Sequence, residues 1–107
     1  MSERQDERVG IIGGSGLGDA LLGGGVGVRL DMETPLGKPS GKLVLAEWEG
    51  VPVAFLARHG EGHAIPPGAV PYRANVWALK SVGCRWIMAS GAVGSLREEI
   101  APGDVVV

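Results

Sequence analysis

Three apolar runs in this chain each end in a cluster of small residues, and that repeated ending limits the folds open to it. Val9-Gly10-Ile11-Ile12 runs into Gly13-Gly14-Ser15-Gly16. The run over residues 51–56 leads into Ala57-Arg58-His59-Gly60-Glu61-Gly62-His63, and that over residues 85–89 into Ser90-Gly91-Ala92-Val93-Gly94-Ser95. Short continuous apolar runs bounded by turn signals are what strands buried on both faces look like. Glycine makes up 19 of the 107 residues, against a typical ~7%. With 7 prolines the composition approaches the range of disordered chains. The apolar runs argue the other way, because they can form a core that offsets the entropy of ordering. The glycines gather where those runs end and the backbone must turn tightly.

Between these landmarks the chain alternates strand and helix signals. Residues 1–8 are polar and read as a solvated tail. Residues 17–22 are expected to form a short helix, broken by Gly23-Gly24-Gly25, and residues 26–30 a second strand. Thr34-Pro35-Leu36-Gly37-Lys38-Pro39-Ser40-Gly41 is a turn-rich connection. Residues 42–48 alternate in hydrophobicity, Glu49-Gly50 signals a hairpin turn, and residues 51–56 return as a central strand. After a loop with Pro66 and Pro67, Pro71 suits a helix start. Tyr72, Val76 and Leu79 then follow helical spacing, and Gly83 suits the helix end. Residues 85–89 read as another buried strand. Leu96-Arg97-Glu98-Glu99 suggests one helical turn, and Ile100-Ala101-Pro102-Gly103-Asp104 a turn that leads into a strand at Val105-Val106-Val107. Strands mixed with helices predict an α/β sandwich around a twisted sheet. A chain stopping inside an apolar strand is expected to be a fragment of a longer protein, with an exposed sheet edge there that favours self-association.

The bulk numbers exclude several classes. Ten basic and twelve acidic residues give a net charge of −2, which is no electrostatic footprint for nucleic acid. The basic residues are scattered, so no polybasic membrane patch is expected. No apolar run approaches the ~20 residues of a membrane helix, and the first residues carry no signal-peptide core. Cys84 is the only cysteine, which rules out an intrachain disulfide and suits a reducing compartment. A soluble cytoplasmic protein is the expectation.

The small-residue turns invite chemistry, each beside a plainer reading as a tight turn. A dinucleotide-binding fingerprint needs three spaced glycines. Gly14 and Gly16 fit, but the third position is Asp19, whose charge is poorly placed for a pyrophosphate. No Gly-Lys-Ser/Thr follows, so the Walker-type phosphate loop is absent. His59 and His63 are four apart, the spacing of a metal pair on a helix, but Gly60 and Gly62 disfavour a helix there. The same stretch suits an oxyanion better: Arg58 presents a forked cationic donor set, and the imidazoles can donate. The main-chain amides after Ser90 could face a ligand at the carboxyl end of the sheet. No Ser/His/Asp triad is legible. Trp77 is left open between core and subunit contact.

Taken together, several blocks resemble the amino-terminal part of the 5′-methylthioadenosine phosphorylases, which belong with the trimeric purine nucleoside phosphorylases. They are Ile11-Ile12-Gly13-Gly14-Ser15-Gly16-Leu17, Glu33-Thr34-Pro35-Leu36-Gly37-Lys38-Pro39-Ser40, Ala57-Arg58-His59-Gly60 with His63, Tyr72-Arg73-Ala74-Asn75-Val76-Trp77-Ala78-Leu79-Lys80, and Gly94-Ser95-Leu96-Arg97-Glu98-Glu99-Ile100-Ala101-Pro102-Gly103-Asp104. They arrive in family order and cover nearly all of the chain from Val9 onward. The resemblance implies a central twisted mixed sheet flanked by helices. Residues 9–107 would then be the amino-terminal part of a single truncated domain. It implies phosphorolysis of a purine nucleoside, with inorganic phosphate as co-substrate and no metal or organic cofactor. By motif position Ser15, Arg58, His59, Gly91 and Ala92 would contact phosphate, and His63 phosphate or sugar. Many relatives carry a hydroxyl or thiol where this chain has Gly91, which leaves only the amide for contact there. The residues that recognise and protonate the base are expected beyond Val107, so the fragment alone is expected to be inactive. A homotrimer is implied. The alternatives are a phosphorylase of 6-oxopurine nucleosides or methylthioinosine and, in a different class, a non-catalytic dinucleotide-binding module.

Overall fold

In the structure, a computed structural model, residues 7–14 and 27–107 are described, apart from the side chain of His63. Ser15, the expected helix at residues 17–22 and the glycine break after it lie outside these residues. Five strands form one sheet: β1 (Arg8–Gly13), β2 (Val28–Leu30), β3 (Leu43–Trp48), β4 (Val51–Ala57) and β5 (Cys84–Ala89). Among the described residues one α-helix, α1 (Tyr72–Ser81), links β4 to β5. Their spatial order is β2-β3-β4-β1-β5. β1 lies parallel to both β4 and β5, while β2, β3 and β4 pair antiparallel in sequence order. The sheet is therefore mixed, as the resemblance implies.

Local sequence explains the antiparallel half. β3 and β4 are joined by two residues, and Trp48 faces Val51 across the turn. Glu49 and Gly50 have φ of 51° and 82°, the positive values at both central positions that a type I′ hairpin requires. β4 sits in the middle of the sheet, and Val53, Ala54, Phe55 and Leu56 are all buried, which accounts for its unbroken apolar run. β2 is a three-residue edge strand, shorter than expected.

The parallel half depends on α1. Pro71 precedes the helix and its carbonyl accepts from Asn75 N–H at 3.0 Å. At the far end Val82 and Gly83 donate to the carbonyls of Leu79 and Lys80, and Gly83 has φ of 90°, as a helix-ending glycine should. Arg8, read from sequence as the end of a polar tail, is instead the first residue of β1. It pairs with Cys84, and its guanidinium donates to the carbonyl of Val82 at the helix terminus.

Two expectations about this half are corrected. The buried face of α1 is Ala74, Asn75, Ala78 and Leu79, whereas Tyr72 and Val76 are half exposed. Two alanines let the helix lie close to the sheet, and a buried polar residue on that face hid it from a hydrophobic pattern. Leu79 joins Ile12, Leu43, Ala54, Leu56, Ala78 and Cys84 in the core. Trp77 is exposed and is not a core residue. β5, expected to be buried, is an edge strand that among the described residues pairs only with β1. Cys84 is buried, but Trp86, Ile87 and Met88 are exposed. The Arg85 guanidinium lies 5.3 Å from the ring centre of Trp86.

Residues 90–107 form turns without strand or α-helix. The expected turn near Pro102 is present: Asp104 N–H donates to the Ala101 carbonyl at 3.0 Å, and the Asp104 carboxylate accepts from Ala101 N–H at 2.8 Å. Leu96 to Glu99 make a bend rather than a helical turn, with Arg97 and Glu99 paired at 2.7 Å. Val105, Val106 and Val107 are exposed and belong to no strand, so the free sheet edge lies at β5 instead. Among the described residues no helix is long and apolar enough to cross a membrane.

Candidate anion site at three parallel strand ends

The parallel pairing brings the carboxyl ends of β4, β1 and β5 side by side. Gly13 is in register with Ala57, and Ile12 with both Leu56 and Ala89. Two backbone bonds extend the ladders one residue past the strands. Arg58 N–H donates to the Gly13 carbonyl at 2.9 Å, and Ser90 N–H donates to the Ile12 carbonyl at 3.0 Å. In the order β2-β3-β4-β1-β5 the chain goes from β1 to β2 on one side and from the adjacent β4 to β5 on the other, so this edge is a topological switch point, where open α/β sheets place their ligands.

The half-buried Arg58 crosses this edge. Its Nη2 donates to the Ser90 carbonyl, which ties the end of β4 to the end of β5. Its Nη1 lies 3.7 Å from where a Cβ on Gly14 would stand and 3.9 Å from where one on Gly91 would stand. The guanidinium therefore sits between the first and third small-residue turns. Among the described residues no carboxylate pairs with it. A planar cation held by one hydrogen bond keeps its other donors for an oxyanion.

His59 follows on the same loop. Its Nδ1 lies 2.9 Å from the Ile65 carbonyl. A carbonyl only accepts, so Nδ1 carries the proton, and Nε2 of a neutral ring is an acceptor. Donation from Nε2 to phosphate therefore requires the imidazolium. The loop closes on itself, since Ile65 N–H donates to the His59 carbonyl at 3.0 Å and Gly60 N–H to that of Ala57 at 3.1 Å. Gly60 and Gly62 have φ of 76° and 67°, so this backbone path needs glycine. Glu61 to His63 form a short 3-10 turn, and Glu61 is paired with Arg29 of β2 at 3.3 Å.

Of the residues singled out from sequence, the structure brings Arg58, His59 and Gly91 to one edge, with Ala92 next in the chain. Gly91 and Ala92 are exposed, and among the described residues their amides have no hydrogen-bond partner. Ser15 lies outside the described residues, one position after Gly14. His63 is in the 3-10 turn. No group of three or more His, Cys, Asp or Glu residues among those described could hold a metal ion. Sequence reasoning gave no role to the buried pair Asn75 and Ser40, whose Ser40 carbonyl lies against Gly60 of the Arg58 loop. Their only sequence signal was an asparagine on the same helical face as Ala78 and Leu79.

Comparison with known proteins places the chain in a family. The family model for the phosphorylase superfamily matches residues 8–107. The S-methyl-5′-thioadenosine phosphorylase of Xenopus tropicalis is 55% identical over 103 residues, which cover 94% of this chain and 36% of that protein. That of Hyperthermus butylicus is 51% identical over 100 residues, covering 92% of this chain and 36% of its own. The solved methylthioadenosine phosphorylase from Schistosoma mansoni in complex with tubercidin superposes with a TM-score of 0.80 at 52% identity. The match covers 91% of this chain and 34% of that one. The chain thus spans about a third of the length of the relatives it matches. With a family model matched from the first strand to the last residue, and a mixed sheet shared with solved methylthioadenosine phosphorylases, the chain belongs to the phosphorylase superfamily.

Proposed function

We propose that the full-length protein carrying this chain phosphorolyses 5′-methylthioadenosine to adenine and 5-methylthioribose 1-phosphate, and that this chain supplies most of the phosphate site. The observation that carries the reading is the Arg58 guanidinium, unpaired with any described carboxylate and held between Gly14 and Gly91 at the switch point of the sheet. Support for the nucleoside comes from the relatives, which are named S-methyl-5′-thioadenosine phosphorylases at about half identity.

In such a reaction a phosphate oxygen bonds to C1′ of the ribosyl group. The glycosidic bond breaks, and its electron pair leaves with the base. Positive charge develops on the sugar beside the phosphate, so a dianion held by preorganised donors stabilises the transition state as well as the ground state. Arg58 provides the fixed charge, Gly91 and Ala92 provide amides, and Ser15 is assigned a hydroxyl donor by its place in the first turn. His59 lies next to Arg58 on the same loop. The homotrimer implied by the family resemblance is part of the same proposal, and sedimentation of the full-length protein checks it.

The test is base release by the full-length protein from 5′-methylthioadenosine, adenosine, inosine and methylthioinosine, with and without phosphate. Phosphate-dependent release fastest from 5′-methylthioadenosine is expected. Preference for a 6-oxopurine nucleoside would overturn the substrate assignment. No phosphate-dependent release from any of them would overturn the enzyme reading.

A further inference from the structure

The least expected polar pair in the molecule is Asn75 with Ser40. Asn75 projects from the buried face of α1 and is completely shielded from solvent. Both ends of its amide are used on one partner. Its Oδ1 accepts from Ser40 N–H at 2.8 Å, and its Nδ2 donates to Ser40 Oγ at 2.9 Å. Ser40 is itself buried, at the end of the turn-rich connection before β3. A polar pair in such a position is favourable only when every member is satisfied, which makes its geometry stringent.

What lies on the other side of Ser40 gives the pair a purpose. A Cβ on Gly60 would stand 2.7 Å from the Ser40 carbonyl oxygen, and one on Gly41 would stand 3.6 Å from Gly60 Cα. The connection ending in Ser40-Gly41 is therefore pressed against the backbone of the loop that carries Arg58 and His59. The Ile65 side chain lies 3.5 Å from the same Gly60 position, and it is Ile65 whose carbonyl meets the His59 ring. Gly60, two residues beyond Arg58, is thus packed against both Ser40 and Ile65.

We propose that Asn75 and Ser40 are positioning residues for the anion site. Asn75 fixes the Ser40 backbone, Ser40 fixes Gly60, and Gly60 sets where the Arg58 guanidinium and the His59 ring meet the ligand. Neither residue touches phosphate. The inference rests on the function proposed above.

The test uses the full-length protein and begins with wild type, whose failure to release base in a phosphate-dependent way would remove the functional reading and leave nothing for this pair to position. Given activity, Asn75→Ala strands the Ser40 N–H in the interior and is expected to raise KM for phosphate roughly tenfold. KM for nucleoside should change less than about twofold, since the effect passes through the phosphate loop. Ser40→Ala keeps the N–H bond to Oδ1 and should give a smaller rise of the same kind. Asn75→Asp keeps an acceptor for the N–H, and the Ser40 hydroxyl can turn to donate to its second oxygen, so it should recover most of the loss. Combined with Arg58→Ala, Asn75→Ala should add less than it does alone, because one of the two residues it positions is already gone. Equal rises in both Michaelis constants, a lowered melting temperature with unchanged phosphate KM, or multiplicative effects in the Arg58→Ala background would each overturn the proposal. If Asn75→Ala yields no folded protein, Ser40→Ala and Asn75→Asp carry the same comparison.

Discussion

Replacing Arg58 with alanine removes a charged side chain that bridges the ends of β4 and β5. Two separate effects follow, and the structure lets them be sized. The first is structural. The Ser90 carbonyl loses its guanidinium partner, but Ser90 is exposed and water can replace the donor, so the fold should lose no more than about 0.5–1 kcal/mol. The second is functional. A hydrogen bond to a charged group contributes about 1.5–3 kcal/mol, and a tenfold change in binding corresponds to about 1.4 kcal/mol, so KM for phosphate should rise by roughly 10-fold to 150-fold. KM for nucleoside should stay within about twofold, because the guanidinium sits between Gly14 and Gly91 and acts on the anion.

Arg58→Lys separates charge from geometry. A lysine restores the cation but offers a compact ammonium in place of a planar fork. It cannot both hold the Ser90 carbonyl and present two parallel donors between the glycine turns. Its phosphate KM should fall between those of wild type and Arg58→Ala. The assay is initial-rate phosphorolysis by the full-length protein, with phosphate varied at saturating nucleoside and then the reverse, beside thermal unfolding of each variant. Equal rises in both Michaelis constants would refute the assignment of Arg58 to phosphate. A lysine variant indistinguishable from wild type would refute the role given to the fork.

Two further predictions concern the seam between β1, β5 and α1. Gly10→Ala would place a methyl group 3.1 Å from Cys84 Sγ and 3.2 Å from Leu79 Cδ1, so overpacking should cost about 1–3 kcal/mol, read by denaturant unfolding; a neutral result would mean that the helix stands further from the sheet. Burial pushes the Cys84 thiol up from the ordinary 9.0 to about 11, against a smaller opposing pull from Arg8. Between those values the unfolded chain has lost the thiol proton and the folded chain keeps it. Stability should therefore fall as pH rises from about 9 to 11, by at most about 2–3 kcal/mol. Cys84→Ala should flatten that decline, and an unchanged alkaline limb in the variant would exclude Cys84 as its source.

Much of this architecture could be read from the chain because local rules and the fold agreed. The β3–β4 hairpin followed from alternation broken by Glu49-Gly50, and α1 from Pro71 at one end and Gly83 at the other. The central place of β4 followed from an apolar run with no polar face to spare. The misreadings arose where a long-range partner decides the outcome. β5 has the composition of an inner strand, yet among the described residues only β1 lies beside it, and no local pattern reports which strands a run will meet. The three final valines have strand propensity but no strand to pair with among the described residues. The helix face was misassigned because Asn75 is buried against Ser40, 35 residues earlier in the chain, and a hydrophobic period cannot anticipate a polar contact of that span. The anion site itself was legible as three similar strand endings. That they meet at one edge is a property of parallel register, which the motifs alone do not contain.

That register also decides which donors remain for a ligand. The amides of Arg58 and Ser90 are used on the carbonyls of Gly13 and Ile12, so they hold the sheet edge together and cannot also face an anion. On the β5 side the next donors along the chain are the amides of Gly91 and Ala92. This gives the glycine at position 91 a specific meaning, since a side chain there is not needed if the backbone makes the contact. Gly91→Ala should leave phosphate KM within about twofold of wild type, because its Cβ would meet Arg58 Nη1 at 3.9 Å, an ordinary contact that displaces nothing. Gly91→Pro removes the N–H, and should raise phosphate KM by roughly tenfold or more, the effect of losing one hydrogen bond to a charged ligand. The two variants are compared in the full-length protein by the same phosphate titration. An alanine variant as impaired as the proline variant would show that space, and not the amide, is what position 91 contributes. Equal and wild-type-like behaviour of both would move the contact on to Ala92, where the same pair of substitutions, glycine against proline, repeats the test.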